Sequence, residues 1–468
     1  MSGHHPYHLL GHNLFHLLRE NSNKRLPTLP DEVIVEIFSR VPPKSVVRFR
    51  CLSKSWCKTL SDPNFIKTHL SHAIAEDKLN IFILSEIENI RMPREVRPKS
   101  GSGFCSITRM WNIEGELFNK SVEVRNPFVS NQYATAGDLV LFVASCNGLV
   151  CLLSEDRVCL LNPSTRECKI VNFGKNRCWH YGLTRGFGYD PITDNYKLVE
   201  ISIDRNFHDI FNTETRVYSL SNASSSTTFS NSYRIKNPED AGIYLNGALH
   251  WIGYVKGCEN ETVIVFDLTE EVFRVVPGPT NGYCYCYDVC MQKNKYHCDV
   301  YGIVCVFGGK LCLVVDRKKA IGVEKCLYGE RDFEIWVMKE YGVKDSWSKL
   351  FSINVTVMDF IRNSLSWDYY QPIPTPICFT NNGEILLKAF GNLVFYDPLK
   401  ETIRTLEDLQ KHKHKIHGLV TYVPSLCNQK LSTVVSLSNQ KLCTCTNGRR
   451  RTIASNLAIT GVIVHRWL

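Results

Sequence analysis

Four times along this 468-residue chain a pair of residues suited to positive φ stands directly before an apolar run. The pairs are Asn147-Gly148, Asn246-Gly247, Gly308-Gly309 and Asn382-Gly383; the runs that follow cover residues 149–153, 248–252, 310–315 and 384–388. Asn-Gly and Gly-Gly are what two-residue hairpins need, because both central positions of such a turn crowd a Cβ atom. The pattern predicts hairpins whose second arm is a buried strand. From about residue 75 onward the chain reads as short strands separated by turns.

A second strand then closes in a polar turn, at Asn162-Pro163-Ser164-Thr165, Asp267-Leu268-Thr269 and Asp397-Pro398-Leu399. Gly186-Phe187-Gly188-Tyr189-Asp190-Pro191, followed by Tyr196-Lys197-Leu198-Val199, reads as a further unit between the first two turn signals. Units recur irregularly, roughly every fifty to seventy residues, the scale of repeat architectures. A sheet of three or four strands cannot cover both its faces, so such sheets pack on one another, most economically in a ring. Roughly 320 residues at about fifty per sheet predict a propeller of about six blades. An irregular pair of β-sandwiches is the competing arrangement, because the spacing is uneven.

Residues 26–70 follow a helical period instead. Pro30 suits a first helical turn, with Asp31, Glu32 and Glu36 near its positive end, and Val33, Ile34, Ile37, Phe38 and Val41 share one face. Pro42-Pro43 stops that helix and opens a second carrying Val46, Val47 and Phe49. Ser53 is a cap for a third helix bearing Trp56, Cys57 and Leu60, and Asp62-Pro63 repeats the signal before Phe65, Ile66, His69 and Leu70. Four short helices bury too little to be stable alone, so the module is expected to borrow stability from a partner or a neighbouring domain.

The order Leu29-Pro30-Asp31-Glu32, apolar stripe, Val41-Pro42, Lys44-Ser45-Val46, Cys51 and Lys54-Ser55-Trp56 resembles the plant F-box pattern. The resemblance implies that Leu29, Pro30, Ile34, Ile37, Val41, Pro42, Val46, Cys51 and Trp56 meet the Skp-type adaptor of a Skp–cullin–F-box ubiquitin ligase. The helices would lie in an apolar groove, with Trp56 the principal anchor. Farther on, Ser145-Cys146-Asn147-Gly148-Leu149-Val150-Cys151, Asn162-Pro163-Ser164-Thr165-Arg166, Gly186-Phe187-Gly188-Tyr189-Asp190 and Val217-Tyr218-Ser219-Leu220 resemble motifs of the plant F-box-associated (type 1) domain. Leu245-Asn246-Gly247-Ala248-Leu249-His250-Trp251 and Phe333-Glu334-Ile335-Trp336-Val337-Met338 extend the likeness, which runs from about residue 100 to Val423. F-box/kelch-repeat proteins and the S-locus F-box proteins of plant self-incompatibility are similar. The expected fold class is α+β multidomain: a small all-α F-box, then a mainly-β, kelch-like propeller.

The expected division is a disordered His-rich leader at 1–24, the F-box at 25–70, the propeller at 75–425 and a basic, disordered tail at 426–468. In the leader, His4, His8, His12 and His16 fall at i, i+4 spacing but lack a closing ligand set, so a polar leader is favoured over a metal stripe. The tail repeats Ser425-Leu426-Cys427-Asn428-Gln429-Lys430-Leu431 as Ser436-Leu437-Ser438-Asn439-Gln440-Lys441-Leu442, then continues through Arg449-Arg450-Arg451 to an apolar stretch too short to span a bilayer. The net charge of +9 resides there: residues 400–468 hold eleven Lys/Arg against three Asp/Glu, so the rest is nearly neutral. That argues against a nucleic-acid-binding body. With no long apolar segment and a polar N-terminus, no membrane partner is expected, and the predicted location is cytoplasmic and/or nuclear.

Twenty cysteines without a secretory signal read as reduced, small hydrophobes. Cys284, Cys286, Cys290 and Cys298 beside His297 lack ordinary zinc spacing, so no metal or cofactor is expected. No His-Glu-x-x-His, Gly-x-Ser-x-Gly, Walker or EF-hand pattern occurs, and an enzyme is not expected, although triads assembled in space escape a motif search. Function then rests on holding a protein target for a ligase, with sequestration or scaffolding outside a ligase, including an S-locus-type role, as the alternative. Target contacts are expected in loops, at Trp179, His180 and Tyr181, in the 204–214 insertion, and at Trp367, Tyr369 and Tyr370, whose aromatic rings suit an interface core. Packing between blades is the competing role for those rings. Residues 221–232, polar and Ser/Thr-rich, are expected to form a flexible loop.

Overall fold

The computed structural model describes residues 30–76, 79–91, 104–114, 120–129, 140–154, 157–172, 183–203, 211–222, 224–230, 232–236, 240–258, 261–279, 299–318, 331–353, 374–380, 382–389, 392–405, 416–427 and 435–436. Four helices come first: α1 (Asp31–Ser39), α2 (Pro43–Phe49), α3 (Lys54–Thr59) and α4 (Pro63–Ala75). Their starts follow the local chemistry. Ser53 Oγ accepts the Trp56 amide at 3.1 Å, and Asp62 Oδ1 accepts the Asn64 amide at 2.8 Å. Pro30 and Pro42 stand one position earlier than a first turn, as N-caps with extended ψ, and their carbonyls take the first helical N–H groups.

Six antiparallel sheets follow. In chain order their strands are Asn80–Arg91, Phe104–Glu114 and Lys120–Val124 in blade one; Phe142–Cys146, Leu149–Leu153, Arg157–Asn162 and Glu167–Asn172 in blade two; and Thr184–Asp190, Asn195–Ile203, Thr213–Ser219 and Ser225–Ser230 in blade three. Blade four has Tyr233–Ile235, Ile243–Leu245, Ala248–Val255, Glu261–Asp267 and Phe273–Val276, its inner position being shared by the first two. Blade five has Asp299–Phe307, Lys310–Lys318, Arg331–Met338 and Trp347–Ile353, and blade six Thr375–Phe379, Ile385–Ala389, Asn392–Asp397 and Thr402–Thr405. The strand Ile416–Tyr422 returns to blade one, pairing Tyr422 with Asn80. A short strand, Val435–Ser436, borders blade two.

Side-chain alternation explains why the second strands are apolar throughout. Leu149, Cys151 and Leu153 point into the core between blades two and three, while Val150 and Leu152 point into the core between blades one and two. The same division places Cys312 and Val314 against blade six, and Leu311, Leu313 and Val315 against blade four. A sixth core, in which Ile81, Ile83 and Ile113 meet Ile377, Leu386 and Phe395, closes the ring. The fold is thus a six-bladed propeller behind a helical module, not a pair of sandwiches.

Three expected hairpins are two-residue turns with both φ angles positive, at Asn147-Gly148, Asn246-Gly247 and Gly308-Gly309. The fourth differs: Phe379 pairs with Ile385, so the connection is longer, and of Asn382 and Gly383 only Gly383 has positive φ. Residues 225–230, within the expected flexible stretch, form the outer strand of blade three. Neither face of this outer strand is buried, so no apolar alternation marks it and its composition resembles that of a loop.

The polar turns share one mechanism. Asn162, Asp190, Asp267 and Asp397 each accept two backbone N–H groups, from residues two and three positions on. Each turn then ends on a residue at positive φ: Arg166, Asp194, Glu271 and Glu401.

Candidate protein-interaction site

The helical module has its own small core of Phe38, Val46, Phe49, Leu60 and Phe65. Phe38 stacks at a tilt on Phe49, with centroids 4.9 Å apart, and receives the edge of Trp56 at 5.2 Å. Arg50 reaches from α2's end to the Leu60 carbonyl through two N–H groups, at 3.1 and 2.8 Å. Burial lowers the Arg50 pKa, and the Glu167 carboxylate of blade two opposes that shift. His69 is buried with one ring nitrogen 2.8 Å from the Val41 carbonyl; burial depresses its pKa.

Around this core the expected adaptor-facing residues divide by exposure. Pro30, Pro42 and Cys51 are exposed, and Ile34, Ile37, Val41 and Trp56 are half-buried. Ile34, Val41 and Trp56 rest on the module's core. Val46 has no exposed surface: it packs in the module's core and holds α2 to the other helices. Its stripe position also faces the interior, a distinction that helical period alone does not make. Leu29 lies outside the described residues. Sequence reasoning passed over Leu52, which stands exposed one position after Cys51, and gave Val33, also exposed, no contact role.

The module attaches at one end of the propeller. Its last helix leads into Asn80–Arg91, and the neighbouring strand Ile416–Tyr422 leads back out beside it. Asn80 Nδ2 donates to the Tyr422 hydroxyl at 3.3 Å, which donates to Asn112 at 2.8 Å. Past Tyr422, Leu426 enters the helical core and is fully buried there. Leu426 and Cys427, just past the expected propeller boundary at residue 425, both pack into folded structure. A lone leucine in a polar segment carries no periodicity from which this could be read.

Because the strands of each blade alternate in direction, the tight turns at 147–148, 163–166 and 191–194 share the end that faces the helices. The strands that flank residues 173–182, 204–210 and 354–373 stop and restart at the opposite end. Trp179, His180, Tyr181, Trp367, Tyr369 and Tyr370 all lie outside the described residues, as do the His-rich leader and the Cys284–Cys298 group. Among the described residues no cluster of His, Cys, Asp and Glu could hold a metal, and no helix is long and apolar enough to cross a membrane.

The F-box domain family matches residues 26–68, and the F-box associated beta propeller domain family matches residues 99–428. The chain belongs to the F-box-associated β-propeller family, with an N-terminal F-box, the architecture of a substrate-recognition adaptor. Among similar Arabidopsis thaliana proteins, F-box/kelch-repeat protein At3g23880 is 26% identical over 79% of this chain and 87% of its own length. F-box protein At3g07870 is 26% identical over 80% and 86%, and F-box protein CPR1 is 24% identical over 81% and 84%. Of solved structures, TolB from Acinetobacter baumannii aligns over 77% of this chain and 73% of its own at 9% identity and a TM-score of 0.36, too distant to bear on function.

Proposed function

We propose that this chain is the substrate-recognition subunit of a Skp–cullin–F-box ubiquitin ligase, located in the cytoplasm or nucleus. Pro30, Ile34, Ile37, Val41, Pro42, Cys51 and Trp56, with Leu29 ahead of them, contact the Skp-type adaptor, which links the chain to the cullin. The propeller holds a protein target for ubiquitination and degradation. Catalysis belongs to other subunits; this chain supplies proximity, which turns transfer into a local event.

The observation that carries this reading is the division of the molecule into two ends. The F-box occupies the end with the tight turns, and its half-buried Ile37 and Trp56 remain reachable. The strands flanking the aromatic segments around Trp179 and Trp367 open on the other end. A bridge between adaptor and target needs two separated faces.

The test is affinity purification from cells that carry either the wild-type chain or one with Ile37→Asp and Trp56→Ala. The F-box variant should lose adaptor and cullin while retaining, and accumulating, a protein that proteasome inhibition also stabilises in wild-type cells. A bound protein whose level ignores both manipulations would place the chain outside a ligase.

A further inference from the structure

Leu426 lies farther along the chain than every strand of the propeller except Val435–Ser436, yet it sits in the core of the N-terminal module among Phe38, Val46, Phe49, Leu60 and Phe65. Its neighbours face the other way: Ser425 and Cys427 turn to the propeller while Leu426 turns to the helices.

The propeller side of this segment is a clamp. Asn162 Nδ2 donates to the carbonyls on both sides of Leu426, Ser425 at 3.0 Å and Cys427 at 2.8 Å. Ser425 Oγ donates to the Asn147 carbonyl at 2.9 Å. Gly148, at φ +79°, leaves no room there: a Cβ would sit 2.2 Å from Ser425 Oγ and 2.4 Å from the Val423 carbonyl. Two of the chain's motif positions, the Asn-Gly of the first hairpin and the Asn of the first polar turn, thus hold the segment that completes the F-box.

We infer that adaptor binding depends on closure of the propeller. The strand that closes the ring, Ile416–Tyr422, delivers Leu426 to the F-box, and Trp56 rests edge-on against Phe38 in the core that Leu426 completes. A module with so few buried side chains loses much of its stability when one is withdrawn. The adaptor's apparent affinity falls in proportion to the fraction of F-box that is folded. A chain with an unclosed propeller, unable to present a target face, would then recruit adaptor poorly. This inference rests on the adaptor reading above.

The test uses the full chain in three forms beside wild type: Leu426→Asp, Leu426→Met and Asn162→Asp. The last keeps an oxygen for the Ser164 and Thr165 amides and removes both donors of the clamp. Two quantities are measured, amide hydrogen exchange across α1–α4 and affinity for a purified Skp-type adaptor. Leu426→Asp should speed exchange in α1–α3 by about 30-fold or more, from the cost of losing a buried leucine. Adaptor affinity should drop at least about tenfold, while strands of blades four to six keep their protection. Asn162→Asp should move both readouts in the same direction although it lies in blade two, and Leu426→Met should restore both. Unchanged exchange and affinity in Leu426→Asp and Asn162→Asp, with wild type binding adaptor, would overturn this inference alone. A wild-type chain that binds no adaptor overturns the ligase reading, and this inference with it.

Discussion

Lys197 and Asp190 form an ion pair, Nζ to Oδ2 at 3.1 Å, with the carboxylate wholly buried and the lysine nearly so. Lys197 also reaches blade four, at Glu271 Oε1 (3.1 Å) and the Leu268 carbonyl (2.5 Å), and Thr269 Oγ1 donates to Asp190 at 2.7 Å. Ser226 of the blade-three edge strand donates to the other oxygen of Glu271 at 2.7 Å. These contacts stitch blade three to blade four around the Asp of the Gly-Phe-Gly-Tyr-Asp motif. Removing one partner strands a buried charge, so Lys197→Met should cost about 3–5 kcal/mol. Urea unfolding followed by tryptophan fluorescence checks this; a loss under about 1 kcal/mol would mean that the pair is not structurally coupled.

His250 predicts an acid sensitivity. One ring nitrogen lies 3.0 Å from the Ile243 carbonyl, which can only accept, so Nδ1 carries the proton and Nε2 accepts from the Tyr341 hydroxyl at 2.7 Å. Burial pushes its pKa down to about 4, and hydrogen bonds to backbone carbonyls only partly offset that. The unfolded chain takes up this proton near pH 6.5 and the folded chain does not. Stability is therefore complete above pH 6.5 and declines as pH falls toward 4, by about 3 kcal/mol for this group. Asp190 acts in the same direction at lower pH: burial alone would raise its pKa, but hydrogen bonds from Thr193, Thr269 and Lys197 hold it below the usual range. Melting temperature measured from pH 7.5 to 5 should fall for wild type and flatten in His250→Gln. Parallel curves would contradict the assignment.

Trp251 is wedged against the backbone of two strands. Its Nε1 donates to Thr184 Oγ1 at 2.9 Å, and Gly186 and Gly242, bridged in parallel, flank its ring. A Cβ on Gly242 would lie 2.2 Å from the ring. Gly242→Ala should therefore destabilise by about 1–3 kcal/mol through overpacking. Gly257, with open space around it, serves as the control: alanine there should cost only about 1 kcal/mol of backbone strain. Equal losses in the two variants would show that packing against Trp251 is not what requires glycine.

Much of this was legible in the chain because the signals were local. Ser53 and Asp62 cap the helices that they precede, and Asn147-Gly148 and Asn246-Gly247 turn the hairpins that their φ preferences demand. The polar turns at Asn162, Asp267 and Asp397 likewise stand where their side chains can satisfy backbone amides. What stayed hidden was non-local or lacked a buried face. Leu426 is one residue without periodicity, and Ser225–Ser230 is an edge strand with the composition of a loop. Val46 sits on an apolar stripe whose inward and outward sides look alike in one dimension. The stitch of Lys197 to Glu271 joins blades that the sequence does not order.

Calorimetric titration of the purified full chain with a Skp-type adaptor measures whether the F-box binds it. A one-to-one complex with a dissociation constant below about 1 μM is expected for wild type. Ile37→Asp with Trp56→Ala should weaken it at least about a hundredfold, because an apolar groove tolerates neither a buried charge nor loss of its aromatic anchor. The propeller of that variant should keep its melting transition. No heat of binding for wild type at tens of micromolar, or undiminished binding by the variant, would contradict the account.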